Sequence, residues 1–182
     1  MRIDELEIPG LMLIEPTKIG DARGFFSETF RADKFEAIAG PIRFVQDNQS
    51  LSARKGTLRG LHYQRAPRGQ AKLIRVTRGA IFDVAVDIRR SSPSFGQWVG
   101  VELSAENKRM MWIPEGFAHG FLVLSDFAEF LYKTTDYWAP QYERTIIWND
   151  PDLAIAWPLQ NQPILSAKDA QGTLFKKAEI FE

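Results

Sequence analysis

The stretch IFDVAVDI (81–88) alternates without a break, with Phe82, Val84, Val86 and Ile88 on one side and Asp83, Ala85 and Asp87 on the other. Successive side chains of a strand point to opposite faces, so this segment reads as a β-strand with one oily side. Outward from it, short apolar or alternating runs recur. LMLIE (11–15), FFSETF (25–30), RFVQDN (43–48) and KLIRV (72–76) precede it; WVGVEL (98–103), MMWI (110–113), FLVL (121–124), EFLYKTT (129–135) and TIIW (145–148) follow. Turn-forming residues separate most of them. Short strands at regular spacing with few long helical patterns predict an antiparallel sandwich or barrel. One short helix is expected at RADKFEAIAG (31–40), with Asp33 as its N-cap, Glu36 three residues on and Gly40 to end it. No repeat, low-complexity tract, linker or composition shift divides the chain, so residues 1–182 are expected to form a single domain.

A chain of 182 residues that is 45% hydrophobic can bury one substantial core. Its 23 Lys and Arg balance its 23 Asp and Glu, so no global field gathers nucleic acid or an acidic membrane surface. Without cysteine the chain has no disulfide, no thiolate metal site and no thiol nucleophile, a composition compatible with a reducing compartment. The start, MRIDELEIPGLMLIEP, carries acids and a proline where a signal peptide has a basic start and a long apolar run. No apolar stretch approaches the roughly 20 residues of a membrane-spanning helix. The expectation is a soluble, cytoplasmic protein.

Two histidines are present, His62 in RGLHYQ (59–64) and His119 in IPEGFAHGF (113–121). They are the candidates for proton transfer near neutral pH, although a lone strand histidine is more often a hydrogen-bonded structural residue. His62 has company: Arg59, Gln64 and Lys72 in one strand pair would place a base, a phosphate anchor and a cation around one cavity. Strict alternation puts Arg59 and His62 on opposite faces, and Gly60 between them offers a bulge that would turn both the same way. Metal ligands are scarce, with no paired histidines on the first strand and only scattered carboxylates for His119 to join. No G-x-S-x-G, Walker or Rossmann glycine pattern occurs. A nucleotide would have to be held by arginine forks and aromatic faces.

At this density of motifs the chain resembles the dTDP-4-dehydrorhamnose 3,5-epimerases, within the cupin group of β-barrels. The segments that carry the likeness are DARGFFSETF (21–30), FVQDNQS (44–50), LRGLHYQ (58–64), AKLIRVTRGAIFDVAVDIRRSSPSFGQW (71–98), LSAENKRMMWIPEGFAHGFLVLS (103–125), AEFLYKTTDYWAP (128–140), IIWNDP (146–151) and LSAKD (165–169). Pro114, Gly116 and His119 alone would be shared with many cupins; the ordered set is specific. RAPRGQA (65–71) and the tail after Gln171 lie outside it. The resemblance implies an all-β, cupin-type jelly-roll barrel with a few short helices.

It further implies that His62 is the proton acceptor, hydrogen-bonded to Asp169, that Tyr132 is the proton donor from the opposite face, and that Lys72 supports charge on the ketone oxygen. Arg23, Glu28, Gln46, Asn48, Arg59, His119, Glu143 and Lys168 would line the substrate site, with Phe26 and Trp138 suited to packing on nucleotide or sugar. The implied reaction inverts carbons 3 and 5 of a dTDP-linked 4-keto-6-deoxy sugar, in dTDP-L-rhamnose biosynthesis, without metal or other cofactor. A homodimer is implied too, with the amino-terminal strand reaching across so that Arg23 and Glu28 complete a neighbour's site.

The chemistry agrees. A proton beside a ketone is acidic because its removal leaves an enolate, so catalysis needs a base and a cation at the oxygen. Inversion needs a second group on the other face. Bland readings stand beside these: Tyr132 as a core aromatic, Lys72 as a strand-edge solubiliser, Asp169 as a helix N-cap, Arg23 and Arg59 as surface arginines, and Phe82 and Phe121 as barrel core. Competing functions are a single-centre epimerase on a related sugar, a metal-dependent cupin oxygenase or isomerase, and a non-catalytic nucleotide-sugar-binding cupin.

Overall fold

A computed structural model describes residues 1–182. The first strands are β1 (Arg2–Glu5), β2 (Met12–Glu15), β3 (Lys18–Asp21) and β4 (Gly24–Ser27), followed by helix α1 (Ala32–Ala39). Then come β5 (Gln46–Ser52), β6 (Leu58–Gln64), β7 (Lys72–Arg78), β8 (Ala80–Asp87), β9 (Trp98–Ser104), β10 (Met110–Ile113), β11 (Phe117–Val123), β12 (Ala128–Thr134) and β13 (Glu143–Thr145), and a short helix α2 (Ala167–Ala170). Two sheets face each other, in the orders β1-β2-β10-β7-β12-β5 and β13-β6-β11-β8-β9, and β3 and β4 form a separate hairpin. The pairings within and between these strands are antiparallel. The fold is the all-β jelly roll that the sequence led us to expect.

The deciding strand β8 corrects one expectation. Its oily side does not face the lumen: Phe82, Val84 and Val86 belong to an outer cluster with Leu61, Ile146 and Leu153, covered by Trp157, Phe175 and Phe181 from the carboxy-terminal segment. Phe82 is therefore not a barrel-lining aromatic. The other side is buried as well, and Asp83, Ala85 and Asp87 are wholly inaccessible. A strand covered on both faces has no wet side, and its carboxylates need partners inside the protein. Asp87 finds them in Arg89, Ser92 and Ser94.

Between the sheets, one end of the lumen is filled by Ile8, Leu11, Ile74, Val76, Ile81, Leu103 and Met111. Each such side chain contributes roughly 1.5–3 kcal/mol by leaving water, so this end stabilises the barrel and leaves the other end free for polar groups. Helix α1 covers the outer face of the six-stranded sheet, with Phe35 edge-on to Trp112 at 5.0 Å between ring centroids. It starts at Arg31 and not at the expected Asp33, whose carboxylate is drawn off to Arg31 at 2.6 Å. A contact between Phe30, just before the cap, and Phe35, at the fourth helical position, sets the start instead, at 5.8 Å. Gly40 ends the helix as expected, at φ 76°.

Candidate active site

The polar end of the barrel is a cavity of about 410 Å³. His62, on β6, and His119, on β11, are register partners on neighbouring strands, and both line it. Arg59 lies on the same side as His62 because β6 carries a bulge: Arg59 pairs with Phe121 and His62 with His119, so three steps on β6 meet two on β11. Gly60 occupies the bulge at φ +128°. Lys72 enters from β7 in the facing sheet, not from a strand paired with β6, and Tyr132 comes from β12 in that same facing sheet. Of the other predicted lining residues, Gln46, Asn48, Trp138 and Glu143 line it too, and Lys168 does not. Phe121 and Phe130, edge to face at 4.7 Å, belong at once to the core and to the wall of the cavity.

Asp169 sits behind His62. Its Oδ1 lies 2.6 Å from His62 Nε2 and accepts the Gly60 N–H at 3.1 Å, while its Oδ2 accepts the Ser166 hydroxyl at 2.6 Å. The N-cap of α2 is Ser166, whose oxygen takes the Asp169 N–H, so Asp169 is the third helical residue and not the cap. At that position an acid ordinarily reaches back to the cap's own N–H; here it reaches to His62 instead. Burial works against its charge, but the bonds from His62, Ser166 and Gly60 outweigh it and hold the carboxyl at about 2. An ionised carboxylate only accepts, so Nε2 of His62 carries a proton, and in the neutral ring the lone pair is on Nδ1.

Burial pushes Lys72 down to about 8, against the pull of Asp83 and Glu143, so it is an ammonium at neutral pH. Burial also raises Tyr132, with Glu143 adding to the effect, so the phenol keeps its proton. His119 is driven down by burial, with Asp83 opposing, and its Nε2 lies 2.7 Å from Asp83 Oδ1. Glu143 pairs with Lys168 at 2.7 Å, which places the helix residue beside Asp169 at the cavity rim. Gln46 donates to Asn48 at 2.9 Å and accepts the backbone N–H of Trp138 at 3.0 Å, so β5 anchors the chain that carries the exposed indole. Gln64 lines the cavity but is committed to Arg68, Tyr137 and Ala139.

Arg23, Phe26 and Glu28 do not line the cavity of the chain that carries them. They lie on or beside the β3–β4 hairpin, where Arg23 pairs with Asp21 at 2.6 Å, Glu28 with Lys34 at 2.9 Å, and Phe26 is 70% exposed. Ser50, Gln70, Phe130, Asp83 and Ser166 were not read from the sequence as site residues. Ser50 shares the two-residue period of Gln46 and Asn48 along β5, and Ser166 stands three before Asp169; both signals were there to use. No three His, Cys, Asp or Glu side chains converge in a group able to hold a metal ion.

What barrel and cavity define together is a cupin-type enzyme equipped to move protons on carbon, the chemistry of an isomerase. A family model described as dTDP-4-dehydrorhamnose 3,5-epimerase matches residues 5–177. The dTDP-4-dehydrorhamnose 3,5-epimerase of Pseudomonas aeruginosa is 62% identical, over 100% of this chain and 99% of that one. The dTDP-6-deoxy-D-glucose-3,5-epimerase of Legionella pneumophila, solved with dTDP-4-keto-L-rhamnose, superimposes with a TM-score of 0.94 at 55% identity, covering 98% of this chain and 94% of that one. A 3'-monoepimerase from Streptomyces bikiniensis, solved with dTDP-quinovose, does so at 0.90 with 38% identity, over 96% and 88%. The chain belongs to the dTDP-4-dehydrorhamnose 3,5-epimerase family and is an isomerase of the epimerase kind.

Proposed function

We propose that the cavity binds dTDP-4-dehydro-6-deoxy-D-glucose and inverts carbons 3 and 5 through enolates, giving dTDP-4-dehydro-L-rhamnose for dTDP-L-rhamnose biosynthesis. The observation that carries this reading is the placement of the His62–Asp169 pair and Tyr132 on facing sheets of one cavity, with the Lys72 ammonium between the same walls. His62 Nδ1 takes the proton from the carbon beside the ketone, and Asp169 stabilises the imidazolium. Lys72 neutralises the charge that develops on the ketone oxygen. Tyr132 returns a proton to the opposite face and regains one from solvent, while His62 gives its proton up to solvent. The cycle then repeats at the second carbon. Arg59 offers a guanidinium fork for the diphosphate, and Trp138 an exposed face for stacking.

The active assembly in this proposal is a cytoplasmic homodimer in which Arg23, Phe26 and Glu28 of each hairpin enter the partner's cavity. A second reading, inversion at one centre only, is supported by the likeness to the Streptomyces bikiniensis 3'-monoepimerase. Proton NMR of dTDP-4-dehydro-6-deoxyglucose with the protein in heavy water separates them. Deuterium and inversion at both carbons is the expected result, deuterium at one identifies the mono-epimerase, and none at either leaves a binding protein. The same reaction with excess chelator should run at an unchanged rate; loss restored by one specific metal would overturn the metal-free mechanism.

A further inference from the structure

Residues 135–139 follow β12 and belong to no strand or helix, yet they carry Trp138, which lines the cavity and is 60% exposed. An exposed ring on a segment without a ladder is placed only as well as its backbone is held. Here side chains replace the ladder. Gln64, the last residue of β6, is buried; its Oε1 accepts the Ala139 N–H at 2.6 Å, and its Nε2 donates to the Tyr137 carbonyl at 3.2 Å. The second N–H of the amide goes to the Arg68 carbonyl at 2.7 Å. Two carbonyls at one end and an N–H at the other leave a single orientation that satisfies the amide.

Along an extended chain the C=O of one residue and the N–H two residues on point to the same side. Gln64 therefore bonds the groups flanking Trp138 as a neighbouring strand would, and Ala139 is extended, at φ −130° and ψ 92°. The Trp138 N–H is taken separately, by Gln46 Oε1 of β5 at 3.0 Å. One residue earlier, the Asp136 carbonyl accepts from Gln70 at 2.8 Å and from the Thr134 hydroxyl at 2.9 Å. The Asp136 carboxylate accepts the Tyr137 N–H at 2.7 Å and Arg68 Nη2 at 2.9 Å. Three glutamines, from β5, from β6 and from the loop after β6, thus hold an irregular segment group by group.

We propose that Gln64 is a positioning residue for nucleotide recognition: its carboxamide acts as a one-residue strand that fixes the backbone on both sides of Trp138 and so presents the indole, already placed, to the base of the substrate. A ring held in its bound position before the ligand arrives loses less freedom on binding, which raises affinity without any added contact. The effect on affinity rests on the reading of Trp138 as the stacking face; the placement of the ring does not. In this role Gln64 acts on the substrate only through Trp138.

The test reads Trp138 first without ligand. In protein grown with 5-fluorotryptophan, the Trp138 resonance is picked out among the five tryptophans by its loss in Trp138→Phe. Gln64→Met keeps the length of the side chain and removes the amide, so it should shift or broaden that line and leave the others in place. Calorimetry with dTDP should then show affinity lowered roughly 10-fold in Gln64→Met. The Gln64→Met, Trp138→Ala double variant should bind no more weakly than Trp138→Ala alone, since no ring is left to place. A Trp138 line that does not move overturns the proposal, and so do affinity losses that add. Gln64→Glu, which loses the N–H donors, serves as a second variant; if neither accumulates as folded protein, Gln64 is structural and the proposal falls. Unchanged dTDP binding in Trp138→Ala would count against the stacking reading alone, because the fluorine line is read without ligand.

Discussion

Tyr132 and His62 approach one cavity from different sheets, and the role proposed for the phenol is one that a single substitution isolates. Tyr132→Phe keeps the ring against Phe130, 5.9 Å away between centroids, and removes only the proton the acid would give. Deprotonation by His62 survives, and the enolate is reprotonated from its original face, so exchange with solvent deuterium should outlast net inversion. Inversion of both carbons at the wild-type rate would remove Tyr132 from the mechanism. Ser166 makes a second single-residue case, since one hydroxyl both caps α2 and donates to Asp169. Ser166→Ala should cost about 1 kcal/mol in urea unfolding and lower kcat by roughly 10- to 100-fold with KM little changed, and Ser166→Thr should restore both. A kcat that follows the stability loss alone would make Ser166 only a cap. At this scale the family motifs supplied His62, Tyr132, Lys72 and Asp169, whereas residue type alone favoured bland readings of Lys72 and Asp169. The reason is physical: lysine and aspartate are usually solvated, and what sets these two apart is burial that only the packed barrel imposes.

At the level of the element, β6 depends on Gly60 for the turn that brings Arg59 and His62 to one side. A Cβ there would stand 2.5 Å from Gly120 Cα and 2.9 Å from the His119 carbonyl, at a backbone φ of +128°. Backbone atoms cannot retreat as a flexible side chain can. Gly60→Ala should therefore destabilise by about 3 kcal/mol or more and displace His62 from Asp169, so kcat falls further than stability. Gly56→Ala is the comparison: its φ is +79° but its Cβ would meet open space, so only the left-handed backbone penalty of about 1–2 kcal/mol applies. Equal losses in denaturant titrations would show that the close approach to β11 is unimportant. This bulge was legible, because a glycine between two residues of opposite parity is a local signal. Other elements were less so. The strand expected at 43–48 is Gln46–Ser52, that at 121–124 begins at Phe117, and that at 145–148 ends at Thr145. Polar β1 and β3 gave no apolar run to read; all four residues of β3 are exposed. Pairing with a neighbour, not hydrophobic period, defines such strands.

Across the whole molecule, the tail after Gln171 carried no usable pattern, yet Phe175 and Phe181 cover the outer side of the five-stranded sheet, and Phe181 exchanges backbone hydrogen bonds with Ile88 and Arg90. Such a covering needs matching surface and no periodicity, which is why sequence patterning passed over it. The β3–β4 hairpin shows the opposite: strands without a covering. Ile19, Phe25 and Phe26 are 66%, 51% and 70% exposed, and an isolated two-stranded hairpin is at best marginally stable in water. Arg23 at its tip has a side chain 90% exposed and no place in its own chain's cavity.

If the hairpin completes the cavity of a second copy, two defects on different chains complement each other. Arg23→Ala spoils the site of the partner, whereas His62→Ala spoils the site of its own chain. In a heterodimer of the two, one cavity has both groups intact and the other has neither. Random mixing makes half the dimers mixed, so unfolding and refolding equal amounts together should recover about a quarter of wild-type activity from two nearly inactive proteins. Were Arg23 to serve its own chain, every cavity in the mixture would carry one defect, and no activity would return. Each protein refolded alone sets the baseline, and sedimentation of the mixture shows whether dimers have formed. A dimeric mixture without recovered activity would overturn the exchange of hairpins while leaving the chemistry of His62, Tyr132 and Lys72 untouched.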